Sequence, residues 1–214
     1  MTRFRSRAEA LAVAACLLGA CAAPSGEPAA GFVSRDVESA YIPLQGTGYL
    51  VLDEDAAAVS LGGGIAVTDA HNENLLDGKS VIGTSRDYDL AFFRTGGGSS
   101  GLAVSPPHEG ERVIAYGQYR GELRKAEGNV LKLDAAVKPE CDGCAVQSAF
   151  TFESNAGPGF SGGPVLDAAT GSLVGIVFGY VDNPNGPRTM YAYTMERVFE
   201  ELKKIESRGR ADSH

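Results

Sequence analysis

Short apolar runs alternate with Gly, Asp, Asn and Pro along most of the chain beyond residue 31, and each run has the length of one strand. Gly46 to Val51 reads as a strand whose glycines let a neighbouring backbone come close, and Gly64 to Thr68 reads as the next. Leu90–Phe93, Arg112–Tyr116, Gly128–Leu133, Val146–Phe152, Gly163–Leu166, Leu173–Phe178 and Met190–Tyr193 continue the series. The period then changes. Val198, Leu202 and Ile205 fall at helical spacing, with Phe199 beside them and Thr194 placed to cap the helix. The pattern predicts an all-β domain over residues 32–206, closed by one C-terminal α-helix and followed by a tail at 207–214. The glycine-rich stretch Gly96 to Gly101 is a break, and an internal boundary is expected near 96–111. No internal repeat stands out, and nothing in the pattern names an oligomeric state.

Residues 1–20 have a different character. Arg3, Arg5 and Arg7 precede an apolar stretch from Ala10 to Ala20 that is too short to span a bilayer and has the layout of an export signal. It ends in Leu18-Gly19-Ala20-Cys21, which resembles the bacterial lipobox: small residues admit the signal peptidase, and the cysteine thiol takes the lipid. Val13-Ala14-Ala15-Cys16 shares the local pattern, but cleavage there would leave about half the usual apolar core, so Cys21 is the expected lipidated residue. Residues 21–31, rich in Ala, Pro, Ser and Gly, then read as a flexible tether between a membrane lipid and the domain. Ala22 rather than aspartate follows the cysteine, which points to the outer membrane of a double-membrane cell, facing the periplasm.

Composition narrows the partners. A hydrophobic share of 43% suffices for a core. Of 19 Lys+Arg and 27 Asp+Glu, residues 1–20 hold three and one, so the mature chain carries 16 against 26, a net charge of −10. That balance argues against a nucleic-acid partner and against a polybasic grip on anionic lipid. Cys141 and Cys144 remain after cleavage, and an oxidising envelope makes a local disulfide the first expectation. A redox Cys-x-x-Cys site needs a strand-to-helix junction that the surrounding residues do not offer, and zinc lacks a second ligand pair. Unpaired thiols are the other alternative.

Acyl transfer near neutral pH needs a hydroxyl nucleophile, a base of matching pKa, a carboxylate to orient the base, and backbone donors for the oxyanion. In Gly157-Pro158-Gly159-Phe160-Ser161-Gly162-Gly163-Pro164 a serine is flanked by glycines that permit a sharp turn, which can aim the N–H groups of Gly159 and Ser161 at one point. With Gly175-Ile176-Val177 downstream, this stretch resembles the nucleophile region of trypsin-like serine proteases, including the bacterial periplasmic heat-shock proteases. Ile65-Ala66-Val67-Thr68-Asp69-Ala70-His71 is similar to the family's histidine motif, and Asp89-Leu90-Ala91 to its aspartate motif, although Asp87 is near enough to compete. The order His, Asp, Ser is that of the chymotrypsin-like group, and the likeness extends in weaker form from about Gly46 to Leu202.

The resemblance implies two packed antiparallel β-barrels with the site in the cleft between them. His71, Asp89 and Ser161 would form the catalytic triad, and Gly159 and Ser161 the oxyanion hole; no metal and no organic cofactor would be needed. Three departures stand out. Asp89 follows His71 by only 18 residues, so a hairpin of the first barrel should be missing or reduced. Phe160 precedes the nucleophile where relatives often carry Asp or Asn, so no salt bridge with a freed N-terminus can form there, and the site should be built on folding. The positions matching the primary specificity pocket are Asn155, Phe178, Tyr180 and Tyr191, with no acid at its base, which implies a small or modest apolar side chain at the cleaved bond.

The expected activity is that of a serine endopeptidase of the bacterial cell envelope acting on peptides or proteins. The alternative is a catalytically inactive protease-fold lipoprotein that binds envelope peptides or proteins. An α/β-hydrolase esterase is disfavoured because its acid lies between serine and histidine in the chain, whereas here His71 comes first.

Overall fold

The protein is described from a computed structural model covering residues 25–29, 34–46, 54–85, 87–96, 101–138 and 146–211. Its elements begin with a two-residue strand β1 (Glu27–Pro28) and a short helix α1 (Arg35–Ala40), which Ser34 caps by accepting the Val37 N–H at 3.3 Å. The first sheet holds β2 (Tyr41–Gly46), β3 (Glu54–Gly62), β4 (Ile65–Thr68), β5 (Val81–Thr84) and β6 (Ala91–Arg94), in the antiparallel order β2-β3-β4-β6-β5. Between β4 and β5 lies a 3-10 turn, Ala70–Leu76. The second sheet follows with β7 (Arg112–Tyr119), β8 (Glu122–Val137), β9 (Gln147–Ser154), β10 (Pro164–Asp167), β11 (Leu173–Val181) and β12 (Arg188–Thr194). Its order β8-β7-β10-β11-β12-β9 closes through β8–β9 pairing into a six-stranded barrel. Helix α2 (Met195–Ala211) ends the described chain.

Strand alternation builds more than one core. β7 sends Val113 and Ala115 into the closed barrel, while Ile114 and Tyr116 face the layer between the two sheets. β12 does the same with Met190 and Ala192 on one face and Tyr191 and Tyr193 on the other. Leu44, Ala56, Ala58, Ala66 and Phe93 make a separate core on the far side of the first sheet. Helix α2 lays Met195, Val198, Leu202 and Ile205 onto the shared layer, and Thr194 accepts the Arg197 N–H at 3.4 Å, as its capping role requires. Gly83 of β5 receives the tip of Ile205: a β-carbon there would sit 2.6 Å from the Ile205 methyl. Ser85 donates to buried Glu201 at 2.7 Å, so α2 locks the edge of the first sheet to the second.

Several expectations need correction. The second unit is a closed barrel, whereas the first is an open five-stranded sheet among the described residues. The short stretch between His71 and Asp89 supplies the 3-10 turn and β5 and has no length left for a further hairpin. β3 was not legible as a strand, because Ala56-Ala57-Ala58 has weak β-propensity; these three alanines are covered, at 0–1% exposure. The strand expected at Gly46 to Val51 corresponds to the end of β2 at Gly46, and its remainder lies outside the described residues. The tether reading over 21–31 fails for its described part: β1 pairs antiparallel with β8, Glu27 against Lys125 and Pro28 against Arg124. The tail expected from 207 is helical through Ala211. Cys21, Cys141 and Cys144, and with them the lipidation and disulfide readings, lie outside the described residues.

Candidate active site

β4, the central strand of the first sheet, ends at Thr68, and the 3-10 turn that follows carries His71, its side chain 45% exposed. Asp89 stands just before β6 and is 4% exposed. Its two carboxylate oxygens divide the work of holding the histidine. Oδ1 accepts the His71 backbone N–H at 3.0 Å, and Oδ2 lies 2.6 Å from the ring Nδ1. The ring is thereby fixed in position and tautomer, with a proton on Nδ1. Behind Asp89, its backbone N–H donates to the Tyr193 hydroxyl at 3.3 Å, and that hydroxyl donates to Gln147. Gln147 in turn donates to the Asp87 carbonyl, so the competing residue Asp87 serves through its backbone while its side chain is exposed.

The third member comes from the second sheet. Gly157 accepts the Phe160 N–H at 3.0 Å, with Pro158 at the second position and Gly159 at φ 88°, the signature of a type II turn. Only glycine fits at position 159, where a β-carbon would meet the Gln118 carbonyl at 1.9 Å. The turn delivers Ser161 Oγ to 2.6 Å from His71 Nε2. Neither the Gly159 nor the Ser161 N–H has an acceptor among the described residues, which is the condition for a pair of donors to receive an oxyanion. Gly162, at φ 76°, passes so close to β3 and β4 that a β-carbon would lie 2.1 Å from the Ala57 carbonyl and 2.2 Å from Thr68 Oγ1. This contact also joins the two sheets: Ala57 N–H donates to the Ser161 carbonyl at 2.8 Å, and Asn72 bridges Thr68 Oγ1 at 3.1 Å to the same carbonyl at 3.4 Å. Gln118 of β7 donates across the interface to the Leu44 and Ala56 carbonyls.

Phe160 is wholly buried among the barrel residues. Its ring occupies a slot left by two glycines, since β-carbons at Gly117 and Gly26 would lie 2.5 Å and 2.7 Å from ring atoms. The slot is closed by the segment just before β1. Gly26 N–H donates to the Asn155 carbonyl at 3.0 Å, and the guanidinium of buried Arg124 donates to the Ser25 and Gly26 carbonyls at 3.3 and 2.7 Å.

Of the expected pocket residues, Asn155 is exposed just past β9, and Tyr180 is 37% exposed under the Arg188 guanidinium, 4.9 Å above its ring. Tyr191 is half-buried, 6.2 Å from the Phe178 ring. Phe178 is 7% exposed. It stacks on Tyr193 at 4.0 Å and belongs to the core, because its strand face points between the sheets. A shallow concavity lined by Arg112, Glu127, Asn129, Glu153, Asn155 and Pro187 shares only Asn155 with these positions and includes none of His71, Asp89 and Ser161.

Sequence reasoning missed Asp69. The side chain has no exposed surface; its Oδ2 lies 2.6 Å from Ser161 Oγ and 4.0 Å from His71 Nε2, and its Oδ1 has no partner among the described residues. Burial pushes the carboxyl up to about 8, against the pull of His71. The only signal was an acid inside the histidine motif itself.

Comparison with known proteins gives the lineage. The structure is similar to the active form of the Rv3671c protease from M. tuberculosis, with a TM-score of 0.65, 18% identity and coverage of 85% of this chain and 89% of that one. It is similar to the MamO protease domain from Magnetospirillum magneticum, with a TM-score of 0.60, 21% identity and coverage of 78% and 98%. For the HtrA-type protease AlgW with a tripeptide the TM-score is 0.64 at 18% identity, over 81% of this chain and 63% of that one. No curated protein matches the chain by sequence. These likenesses carry the fold. A family model for the trypsin-like peptidase domain matches residues 46–176, more than half of the chain, and the protein belongs to that family.

Proposed function

We propose that the protein is a serine endopeptidase that hydrolyses peptide bonds through an acyl-enzyme, with Ser161 as nucleophile, His71 as base and Asp89 as its orienting carboxylate. The observation that carries this reading is the unbroken relay from Asp89 Oδ2 through the His71 ring to Ser161 Oγ, with 2.6 Å at each link. As Oγ bonds to the scissile carbonyl carbon, its proton passes to Nε2 and the carbonyl oxygen becomes an oxyanion facing the Gly159 and Ser161 N–H groups. The C–N bond then breaks as Nε2 gives that proton to the leaving nitrogen. Water repeats the sequence on the acyl group, giving its proton to His71 and releasing Ser161.

Phe160 in its glycine-lined slot supports a site assembled on folding, since the turn is held by apolar packing with no carboxylate awaiting a freed amino terminus. With no acid among Asn155, Phe178, Tyr180 and Tyr191, the preferred residue at the cleaved bond has a small or modest apolar side chain. The lipobox at Cys21 supports a place in the bacterial envelope, anchored to the outer membrane and facing the periplasm.

One observation favours the second reading, a protease-fold protein that binds peptides without cleaving them: an acid sits against the nucleophile and can compete for its proton. A fluorophosphonate probe separates the two, because it bonds only to an activated serine. The mature protein is expected to label at Ser161, and Ser161→Ala to lose labelling and peptide hydrolysis by at least about a thousandfold while keeping its unfolding temperature. Unlabelled wild-type protein, or undiminished hydrolysis in Ser161→Ala, would refute the catalytic assignment.

A further inference from the structure

The triad mechanism makes no use of Asp69, yet its carboxyl reaches the reacting oxygen as closely as the histidine does: Oδ2 and His71 Nε2 each lie 2.6 Å from Ser161 Oγ. A hydroxyl has one proton to donate. It cannot give that proton both to a neutral imidazole nitrogen and to a carboxylate. With Asp69 protonated, Oδ2–H donates to Oγ, Oγ–H donates to Nε2, and Nδ1–H donates to Asp89, so every link carries one proton. With Asp69 ionised, Oγ–H turns to Oδ2, and a proton on Nε2 is held by the carboxylates of Asp69, 4.0 Å away, and Asp89. Asp69 cannot replace the histidine as base. It is sealed behind the serine with no exposed surface, whereas His71 is 45% exposed and can meet a leaving amine.

We propose that Asp69 is a fourth catalytic residue: its protonated carboxyl donates a hydrogen bond to Ser161 Oγ, and its ionisation switches the site off by drawing the hydroxyl proton away from His71. This rests on the serine-protease reading and adds the regulation of that site. During attack the Oγ–C bond forms, the Oγ proton moves to Nε2, and the Asp69 proton stays on Oδ2. Deacylation returns the first proton to Oγ. The surroundings favour the protonated acid near neutral pH. Burial is the main cause, and nearby Asp89 adds to it, while His71 and hydrogen bonds from Ser161 and Gly162 oppose it, leaving the carboxyl at about 8. Tyr193, whose hydroxyl accepts the Asp89 N–H, is itself kept neutral by burial.

The test is the rate of fluorophosphonate labelling of the mature protein between pH 6 and 10, read as the ratio of rates at pH 9.5 and pH 7 within each protein. The wild type is expected to lose about tenfold to thirtyfold over that interval, as an acid titrating near 8 requires. Asp69→Asn, whose amide donates to Oγ at every pH, is expected to hold its own ratio within about twofold, whatever its absolute rate. A wild-type plateau to pH 10, or the same alkaline fall in both proteins, would overturn the role of Asp69 and leave the nucleophile standing. Absence of labelling in the wild type at every pH would overturn both. Should Asp69→Asn fail to fold, Asp69→Ser takes its place: with no acid at 69 the alkaline fall must disappear, and a fall like that of the wild type would overturn the role of Asp69.

Discussion

A carboxyl group with no exposed surface weakens the fold as the pH rises. In the unfolded chain Asp69 titrates near 3.8, and in the folded protein near 8. Between those values the native state holds a proton that the unfolded chain has lost, so stability falls steadily across pH 4 to 8, by on the order of 5 kcal/mol in all. Asp69→Asn lacks that proton exchange. The unfolding temperature of the wild type, measured against this variant by circular dichroism, is expected to fall by about 10 °C from pH 4 to pH 8 and to run level with it above pH 9. A constant difference over the whole range would show that Asp69 is ionised in the native protein. The residues flanking His71, Asp89 and Ser161 made that trio legible, because each stands in a motif whose local sequence dictates its geometry. Asp69 stands in the same motif, yet its role depends on Ser161, which lies 92 positions further along, and nothing local records that contact. For Phe178, counting from Ser161 located its strand, whereas the face onto which its ring turns is set by packing between the sheets.

At the scale of elements, the contacts of Ser25–Ala29 replace the expectation of a free tether with a clamp. Its Ser-Gly-Glu-Pro-Ala composition has no strand propensity of its own, and it becomes a strand because β8 offers a partner. Ala29 N–H bonds to the Leu123 carbonyl at 3.0 Å, and Lys125 pairs with Glu27 at 3.2 Å. The exposed ion pair adds little. The strong hold is Arg124, whose planar guanidinium reaches two carbonyls at once. Arg124→Ala is expected to lower stability in urea unfolding by about 2–3 kcal/mol. Arg124→Lys should recover less than half of that loss, because a point donor cannot serve both carbonyls. A neutral result for Arg124→Ala would reduce the clamp to incidental contact. The strand series itself was legible from the alternation of apolar and turn-forming residues. β3 and β1 were not, since one is built of alanines and the other of tether-like residues, and each is a strand through its neighbours alone.

For the molecule as a whole, the clamp changes what the proposed lipid anchor implies. With a lipid on Cys21, only four peptide steps separate the membrane from docked Ser25, and a fully extended backbone covers at most ~14 Å over that length. A tether running to residue 31 would have let the domain roam; a body pinned at residue 25 stays on the bilayer. A domain of this size is about 40 Å across. The crevice is then confined to a layer within roughly 55 Å of the lipid surface. The mature net charge of −10 gives no attraction toward anionic headgroups, so on the proposed lipidation of Cys21 the confinement would come from the lipid itself. On proteoliposomes, the lipidated protein is expected to cut a membrane-anchored peptide whose scissile bond lies close to the bilayer at least about tenfold faster than the same peptide raised on a rigid helical spacer of roughly 80 Å. A soluble Cys21→Ser form should cut both peptides at similar rates. Equal cleavage of both by the lipidated protein would mean that Ser25–Ala29 leaves its seat at the membrane, because only an undocked segment provides the extra reach.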